Sequence, residues 1–510
     1  GLLVLFLPVY LWNIYEIPWQ INTDEITIIS FMGKFSSVPR PDIFALSEYF
    51  YFPSFPFVVF GKLGALMGGV TLFNIRILHA LSGLLIILVS YVFFKYLTGS
   101  ELFAAGGSVL LGSNHALIAI SRMAMRDNIA LLVELVAFAL LLRGLQTRSL
   151  FKTFLGGVAA GLTLYQYFPG RITALVWALF MLLCLMFFRK EISFKTFFLF
   201  TATAALGFLL VAGPIVSVTL KAPEYGQGYA REQILLFPEG RELQRGWEGT
   251  PNAYEAMHIN LINGLAAFNK PLHDHGYIYP NYGHGFLDPL TGILIWIGIT
   301  AILFKAKKEK EDIFILFGFL FIYLFFAFLT TKNPNYTRTL IILPFIVGLA
   351  LAALSSVARL AERVLPRAGL FLFLAALMYI FAANMEIFRD FAREGTQAGN
   401  DVGSTARYIE ARKEKPGYSF YVAASSNYPY YSWGNESQWQ TWAGFFAGHD
   451  QLVKITPPET VVNIPKAAPF TIFASREALR LFEEEIRSVY PYAALHDIKT
   501  DGGLAALEVL

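Results

Sequence analysis

The sequence predicts a mainly α, polytopic membrane helical bundle with a small C-terminal extracytoplasmic α/β domain. Three observations carry this. Of 510 residues, 55% are hydrophobic and 15% charged, whereas a soluble domain carries roughly a quarter charged residues. Apolar runs close to the ~20 residues needed to cross a hydrocarbon layer recur along most of the chain. Lysine and arginine gather in alternate loops, as the positive-inside bias requires.

The spans read at residues 72–94, 102–120, 128–142, 153–168, 172–188, 196–218, 288–304, 313–330, 339–357 and 369–388. With the first apolar segment, Leu2 to Trp12, they make about eleven crossings. That first segment starts at Gly1 without an initiator methionine and is short for a span, so a further N-terminal stretch is expected. With a cytoplasmic N-terminus, the inner loops hold Lys95, then Arg143, Arg148 and Lys152, then Arg189, Lys190 and Lys195. Lys305, Lys307, Lys308 and Lys310 follow, then Arg359, Arg363 and Arg367. The expected localisation is the plasma (inner) membrane, multi-pass. Outside lie residues 13–70, the loop 219–287, the short loops 122–127, 169–171 and 331–338, and the chain after 392. The domain reading is therefore 1–391 for the bundle and 392–510 for the outer domain.

The net charge of +3 gives no ground for a nucleic-acid partner. Cys184 is the single cysteine, so neither a disulfide framework nor a thiolate metal site is available.

Among the outer segments, 53–70 is apolar but carries Pro53, Pro56 and Lys62, the pattern of a helix lying in the interface. The loop 219–287 is rich in turn residues and aromatics, with Tyr277, Tyr279 and Tyr282 suited to headgroup depth. Beyond Arg393, Tyr418–Ala424, Phe470–Phe473 and Leu504–Leu510 read as strands, and Thr405–Lys413 and Arg476–Val489 as helices.

Several residues can carry chemistry, each with a plainer alternative. Asp24 and Glu25 follow the first apolar run; they either begin a surface helix or supply a general base beside a low-dielectric cavity. Arg122, Arg126 and Asp127 occupy an outer turn between helices, against the positive-inside trend. They form either a solvated ion pair or an anion-holding group. Tyr165, Tyr167 and Arg171 end a glycine-rich span, where an arginine framed by tyrosines can grip a lipid phosphate or simply snorkel. Tyr336 and Arg338 make a third outward site of the same kind. His273, His275 and His284 with Asp274 match no helix-borne metal pattern, and Asn435-Glu436-Ser437 is a bare glycosylation sequon.

In order and sidedness, these features resemble the GT-C superfamily of membrane glycosyltransferases. The branch they resemble holds the protein O-mannosyltransferases and the lipid A aminoarabinose transferases. The residues carrying the likeness are Asp24-Glu25, the Pro53 segment leading to Leu72-Phe73-Asn74-Ile75-Arg76-Ile77-Leu78, and Ser121 to Asp127. Gly161 to Tyr167 with Arg171 and Asn335 to Leu340 before Leu343-Pro344 complete it. The likeness spans residues 1–350 and leaves the C-terminal domain unassigned.

The resemblance implies transfer of a sugar from a polyprenyl-phosphate donor to a protein, glycan or lipid acceptor on the outer face. It maps the catalytic base onto Asp24, with Glu25 beside it and Asp127 as an acid near the site. It maps donor-phosphate binding onto Arg171 and Arg338, then Arg122 and Arg126, with Tyr165, Tyr167, Tyr277, Tyr279 and Tyr336 lining the substrate. No cofactor is required on this reading and no residue is assigned to a metal, with a divalent ion as the lesser alternative. Relatives carry His-Pro-Pro or Glu-Lys-Pro before the interfacial helix, whereas this chain has Tyr51-Phe52-Pro53. Two other readings compete. A secondary transporter or lipid flippase would need intramembrane charges along a central path and paired halves. An oligosaccharyltransferase-like enzyme would need a Trp-Trp-Asp motif where Tyr431-Ser432-Trp433-Gly434 stands.

Overall fold

A computed structural model describes residues 2–18, 21, 23–47, 52–221, 231–249, 252–271, 284–331, 333, 335–394, 408, 419–423, 452–455, 470–475, 487–497 and 504–509. The chain divides into two compact units, one of residues 1–17 and 35–394, the other of 18–34 and 395–510.

The first unit is helical. Among the described residues, seven helices are long and apolar enough to cross a membrane: Leu72–Thr98, Asp127–Thr147, Phe168–Phe187, Phe194–Lys221, Lys310–Leu329, Tyr336–Val364 and Ala368–Arg393. Glu101–Ser113 and His115–Arg122, bent by 60° at Asn114, together have the length and apolarity of an eighth, as one broken span or a re-entrant loop. The other three expected crossings fall on shorter apolar helices, Leu2–Leu11, Leu150–Tyr165 and Pro289–Phe304. The protein is thus a multi-pass integral membrane protein in build, and Phe55–Leu66 is the expected short helix after Pro53.

Local chemistry explains the breaks. In α4 (Leu72–Thr98) the Thr71 hydroxyl accepts from the Asn74 amide, and Gly99 closes the other end in the left-handed conformation at φ 68°. The expected straight span at 102–120 is interrupted because Asn114 caps the second half. Its Oδ1 accepts from the Leu117 amide at 3.0 Å, and its Nδ2 donates to the Phe286 carbonyl at 3.2 Å. Likewise the expected span 153–168 stops being α-helical at Leu162 and continues as two 3-10 turns, Thr163–Tyr165 and Phe168–Ile172. Pro169 at the start of the second turn lacks the amide an α-helix would use. Small residues set the close approach of α8 (Leu150–Leu162) to α10 (Phe194–Lys221): a Cβ on Gly157 would lie 2.1 Å from the Ala204 carbonyl oxygen.

The loop 219–287 corrects the sequence reading, which gave it no helix. It carries α11 (Pro238–Glu248) and α12 (Ala253–Ala266). The signals were local: Pro238 in the first turn, Gly249 as a left-handed cap, and Asn252 capping the Glu255 amide at 2.9 Å.

In the second unit, a five-stranded sheet has the order β2-β1-β3-β5-β4, formed by Leu452–Ile455, Ser419–Ala423, Phe470–Ser475, Leu504–Val509 and Ala494–Asp497. The first three strands are parallel, and the last two add antiparallel. Three strands were anticipated; β2 and β4, four residues each, were not. Phe473 is fully buried, with the Tyr408 ring edge-on at 5.5 Å. Of the two expected outer helices, Thr405–Lys413 lies outside the described residues except for Tyr408, and Arg476–Val489 except for its last three positions.

Candidate functional site

Arg126 sits immediately before the first turn of α7 (Asp127–Thr147) and is 7% exposed. Its guanidinium carbon lies 3.8 Å from the centre of the Phe52 ring, 5.6 Å from Phe57 and 5.7 Å from Tyr167. An aromatic box of this kind stabilises a desolvated cation through its ring faces. Phe52 belongs to the Tyr51-Phe52-Pro53 stretch that precedes the helix Phe55–Leu66, and its apolar ring lies against the arginine.

Tyr167 joins this box to the Asn335–Arg338 segment. Its hydroxyl lies 3.5 Å from Oγ1 of Thr337, which bonds at 2.8 Å to Oδ1 of Asn335. That same oxygen accepts from the Arg338 amide at 3.1 Å, capping the short helix Tyr336–Thr339. The Arg338 side chain is 6% exposed; it donates to the Thr331 carbonyl at 2.6 Å and to Oε1 of Gln233. Both acceptors are neutral, and among the described residues no carboxylate pairs with it. A buried cation held only by neutral oxygens remains electrostatically uncompensated.

Arg171 lies in the 3-10 turn Phe168–Ile172, half-buried, with its guanidinium 5.3 Å from the Phe168 ring. It follows Tyr167 by four positions, so both lie on one short, irregular stretch. Gln166 beside them is 5% exposed, and among the described residues its amide oxygen has no hydrogen-bond partner. Sequence reasoning did not single out Gln166, Gln233 or Thr337 as site residues. Only the Asn335 cap spacing hinted at the last.

Other expected residues find different places. Arg122 is 1% exposed, and it donates to the carbonyls of Val9 at 2.8 Å, Trp12 at 2.7 Å and Ile17 at 3.3 Å. Its fork therefore ties down the end of the first helix. Arg76 does similar work on Tyr15 at 3.0 Å. Tyr165 is buried under Phe55 and Phe44, and its hydroxyl donates to the Val211 carbonyl at 2.8 Å. Tyr336 is 1% exposed, its ring 5.1 Å from Phe286. Asp127 is 4% exposed in the first turn of α7, and the next residue, Asn128, donates to the His79 carbonyl at 2.9 Å. Tyr277, Tyr279, His273, Asp274 and His275 lie outside the described residues, while His284 is 3.7 Å from Asp390.

Asp24 and Glu25 belong to the second unit, in the first turn of the helix Thr23–Ser37. Glu25 is fully buried and Asp24 half-buried. Both acids are favoured there by the helix dipole, which is the plainer of the two sequence readings.

Residues 41–219 match the family model described as dolichyl-phosphate-mannose-protein mannosyltransferase. No curated protein matches the chain in sequence. Among solved structures, the chain is similar to ArnT from Cupriavidus metallidurans bound to undecaprenyl phosphate, with a TM-score of 0.61 and 14% identity over 99% of this chain and 97% of that one. It is also similar to the oligosaccharyltransferase AglB from Archaeoglobus fulgidus in complex with an inhibitory peptide and a dolichol-phosphate. There the TM-score is 0.52 and the identity 13%, over 99% of this chain and 73% of that one. In fold the chain is similar to these two membrane proteins, and over residues 41–219 it resembles the mannosyltransferase family in sequence.

Proposed function

We propose that the protein transfers a sugar from a polyprenyl-phosphate donor to an acceptor hydroxyl on the outer face of the membrane, with inversion at the anomeric carbon. The observation that carries the reading is Arg338, a buried guanidinium held by neutral oxygens and joined through Thr337 to Tyr167. An anion with its own charge and several acceptor oxygens, such as a phosphate, completes that environment. Arg126 supplies further positive charge beside the same tyrosine, Arg171 lies four positions after it in the chain, and the Gln166 amide oxygen is available to a sugar hydroxyl. Arg122, whose fork is used on backbone carbonyls, is left out of the phosphate-binding set.

In the reaction, the Asp24 carboxylate takes the acceptor hydroxyl proton and the oxygen attacks the anomeric carbon. The bond from that carbon to the phosphate oxygen breaks, and its electron pair leaves with the polyprenyl phosphate. Guanidinium groups fixed in advance stabilise the charge that develops there. The role of Asp24 rests on the resemblance, with Glu25 and Asp127 as supporting acids. The named ligands of the solved neighbours, undecaprenyl phosphate and a dolichol-phosphate, support the donor class.

The test is binding of undecaprenyl phosphate to the purified protein and its Arg338→Ala variant, together with transfer by Asp24→Asn. The variant at 338 is expected to bind the lipid at least tenfold more weakly, and Asp24→Asn to bind normally but not transfer. Unchanged lipid binding by Arg338→Ala ends the phosphate assignment.

Transfer of an oligosaccharide is the second reading, favoured by the likeness to AglB over 99% of the chain. Mass spectrometry of the product separates the two by the number of sugars moved in one turnover.

A further inference from the structure

A cavity with a volume of about 280 Å³ lies between α11 and α12. That is near the lower end of small-ligand pockets. Its lining includes Arg241, Glu242, Gln244, Arg245, Asn252 and Ala256. The floor is buried: Gln244 is 1% exposed and Ala256 2%. Arg241 and Arg245 are four residues apart on α11, so both guanidinium groups rise from one helix face. The neighbouring acid Glu239 is engaged elsewhere, 2.9 Å from Arg231. Among the described side chains, neither Arg241 nor Arg245 is ion-paired, and Glu242 is the cavity's single carboxylate.

The cavity is also wired to the Arg338 segment. Gln244 donates to Oδ1 of Asn260 at 3.4 Å, and Asn260 donates to the Thr330 carbonyl at 2.8 Å. The next residue, Thr331, gives its carbonyl to Arg338 and bonds through its amide to the Gln233 carbonyl at 3.0 Å. Two segments distant in sequence are thereby held in register by buried amides, which a surface loop with no role in recognition has little reason to maintain.

We propose that this cavity binds the anionic group, phosphate or carboxylate, of a hydroxyl-rich headgroup, with Arg241 and Arg245 on the anion and the side-chain amide nitrogen of Asn252 on a hydroxyl. Its service as an acceptor subsite rests on the transfer reading above; the binding itself does not.

The full chain in phosphatidylcholine nanodiscs is titrated calorimetrically with glucose 6-phosphate and with glucose. Sugar phosphate is expected to bind saturably and glucose not to. Arg245→Gln, whose side chain holds no described partner, is expected to weaken binding about tenfold, the scale of one hydrogen bond to a charged group. The double variant Arg241→Gln/Arg245→Gln abolishes binding, with unchanged melting temperature as the folding control. Repeating the titration in discs containing phosphatidylglycerol separates two sources of the same chemistry. Undiminished binding points to a glycan phosphate and competition by the disc to a lipid headgroup; the anion site stands in both cases. Equal affinity for glucose, or binding unaffected in the double variant, overturns it. Arg338→Ala is expected to leave this titration intact, so failure of the donor site and failure of this one are read separately.

Discussion

The hydroxyl of Tyr167 lies 3.5 Å from Oγ1 of Thr337, although 170 residues separate them in the chain. This contact brings the 3-10 turn that bears Arg171 against the short helix that bears Arg338, and the other side of Tyr167 faces Arg126. Replacing Tyr167 tests whether the three arginines act together. Tyr167→Phe keeps the ring beside Arg126 and loses one long hydrogen bond, so a fall of only a few-fold in donor affinity is expected, in keeping with about 1 kcal/mol. Tyr167→Ala removes the ring as well, and a loss of tenfold or more is expected from lipid-binding titrations.

Arg338→Lys keeps a charge but cannot reach the Thr331 carbonyl and Gln233 Oε1 as a planar fork. Transfer is expected to fall by about 10²–10³, the range for losing one preorganised donor at a developing oxyanion. Measuring kcat and KM separately checks it, since a loss confined to KM would mean the group binds donor without stabilising the reaction.

Arg122 is expected to behave oppositely. Arg122→Ala strips donors from the carbonyls of Val9, Trp12 and Ile17. A cost of ~3 kcal/mol or more is expected from acceptors left buried. It is seen as a lower melting temperature in detergent, while the fraction that remains folded binds undecaprenyl phosphate normally.

Packing sets a further expectation. A Cβ on Gly157 would meet the Ala204 carbonyl oxygen at 2.1 Å, backbone that cannot swing aside. Gly157→Val is expected to push α8 from α10 and lower stability by about 1–3 kcal/mol, measured by thermal unfolding. Gly213→Ala, where an added Cβ meets nothing within 4 Å, serves as the neutral control.

The one pH-dependent expectation concerns Glu191, between the spans. The hydrogen bond and charge of Lys310 hold its carboxyl below the ordinary 4.5. A depressed carboxylate contributes stability above the unfolded value and loses it as pH falls through the folded one. The contribution is therefore present at neutral pH and disappears in the acid range under 4.5. The pair is exposed and screened, so the effect is small. Melting curves of the wild type and Glu191→Gln are expected to converge as pH is lowered or salt is raised.

Much of this protein was legible in the chain itself. Apolar runs of spanning length mark where helices lie, because a helix satisfies its backbone amides within its own segment in lipid. The caps Thr71, Asn114, Asn252 and Asn335 mark helix starts by chemistry acting within three residues. The arginines at helix ends stood out in the sequence as candidate anion holders. What sequence could not sort was the arginines' employment. Arg122 and Arg338 look alike as outward cations at helix ends, yet one spends its fork on carbonyls more than 100 residues away and the other is left with neutral oxygens. That difference depends on which distant backbone is brought within 3 Å, and short-range periodicity holds no record of it. Only the tertiary packing of the bundle decides which charge meets three backbone carbonyls and which meets one carbonyl and a glutamine oxygen.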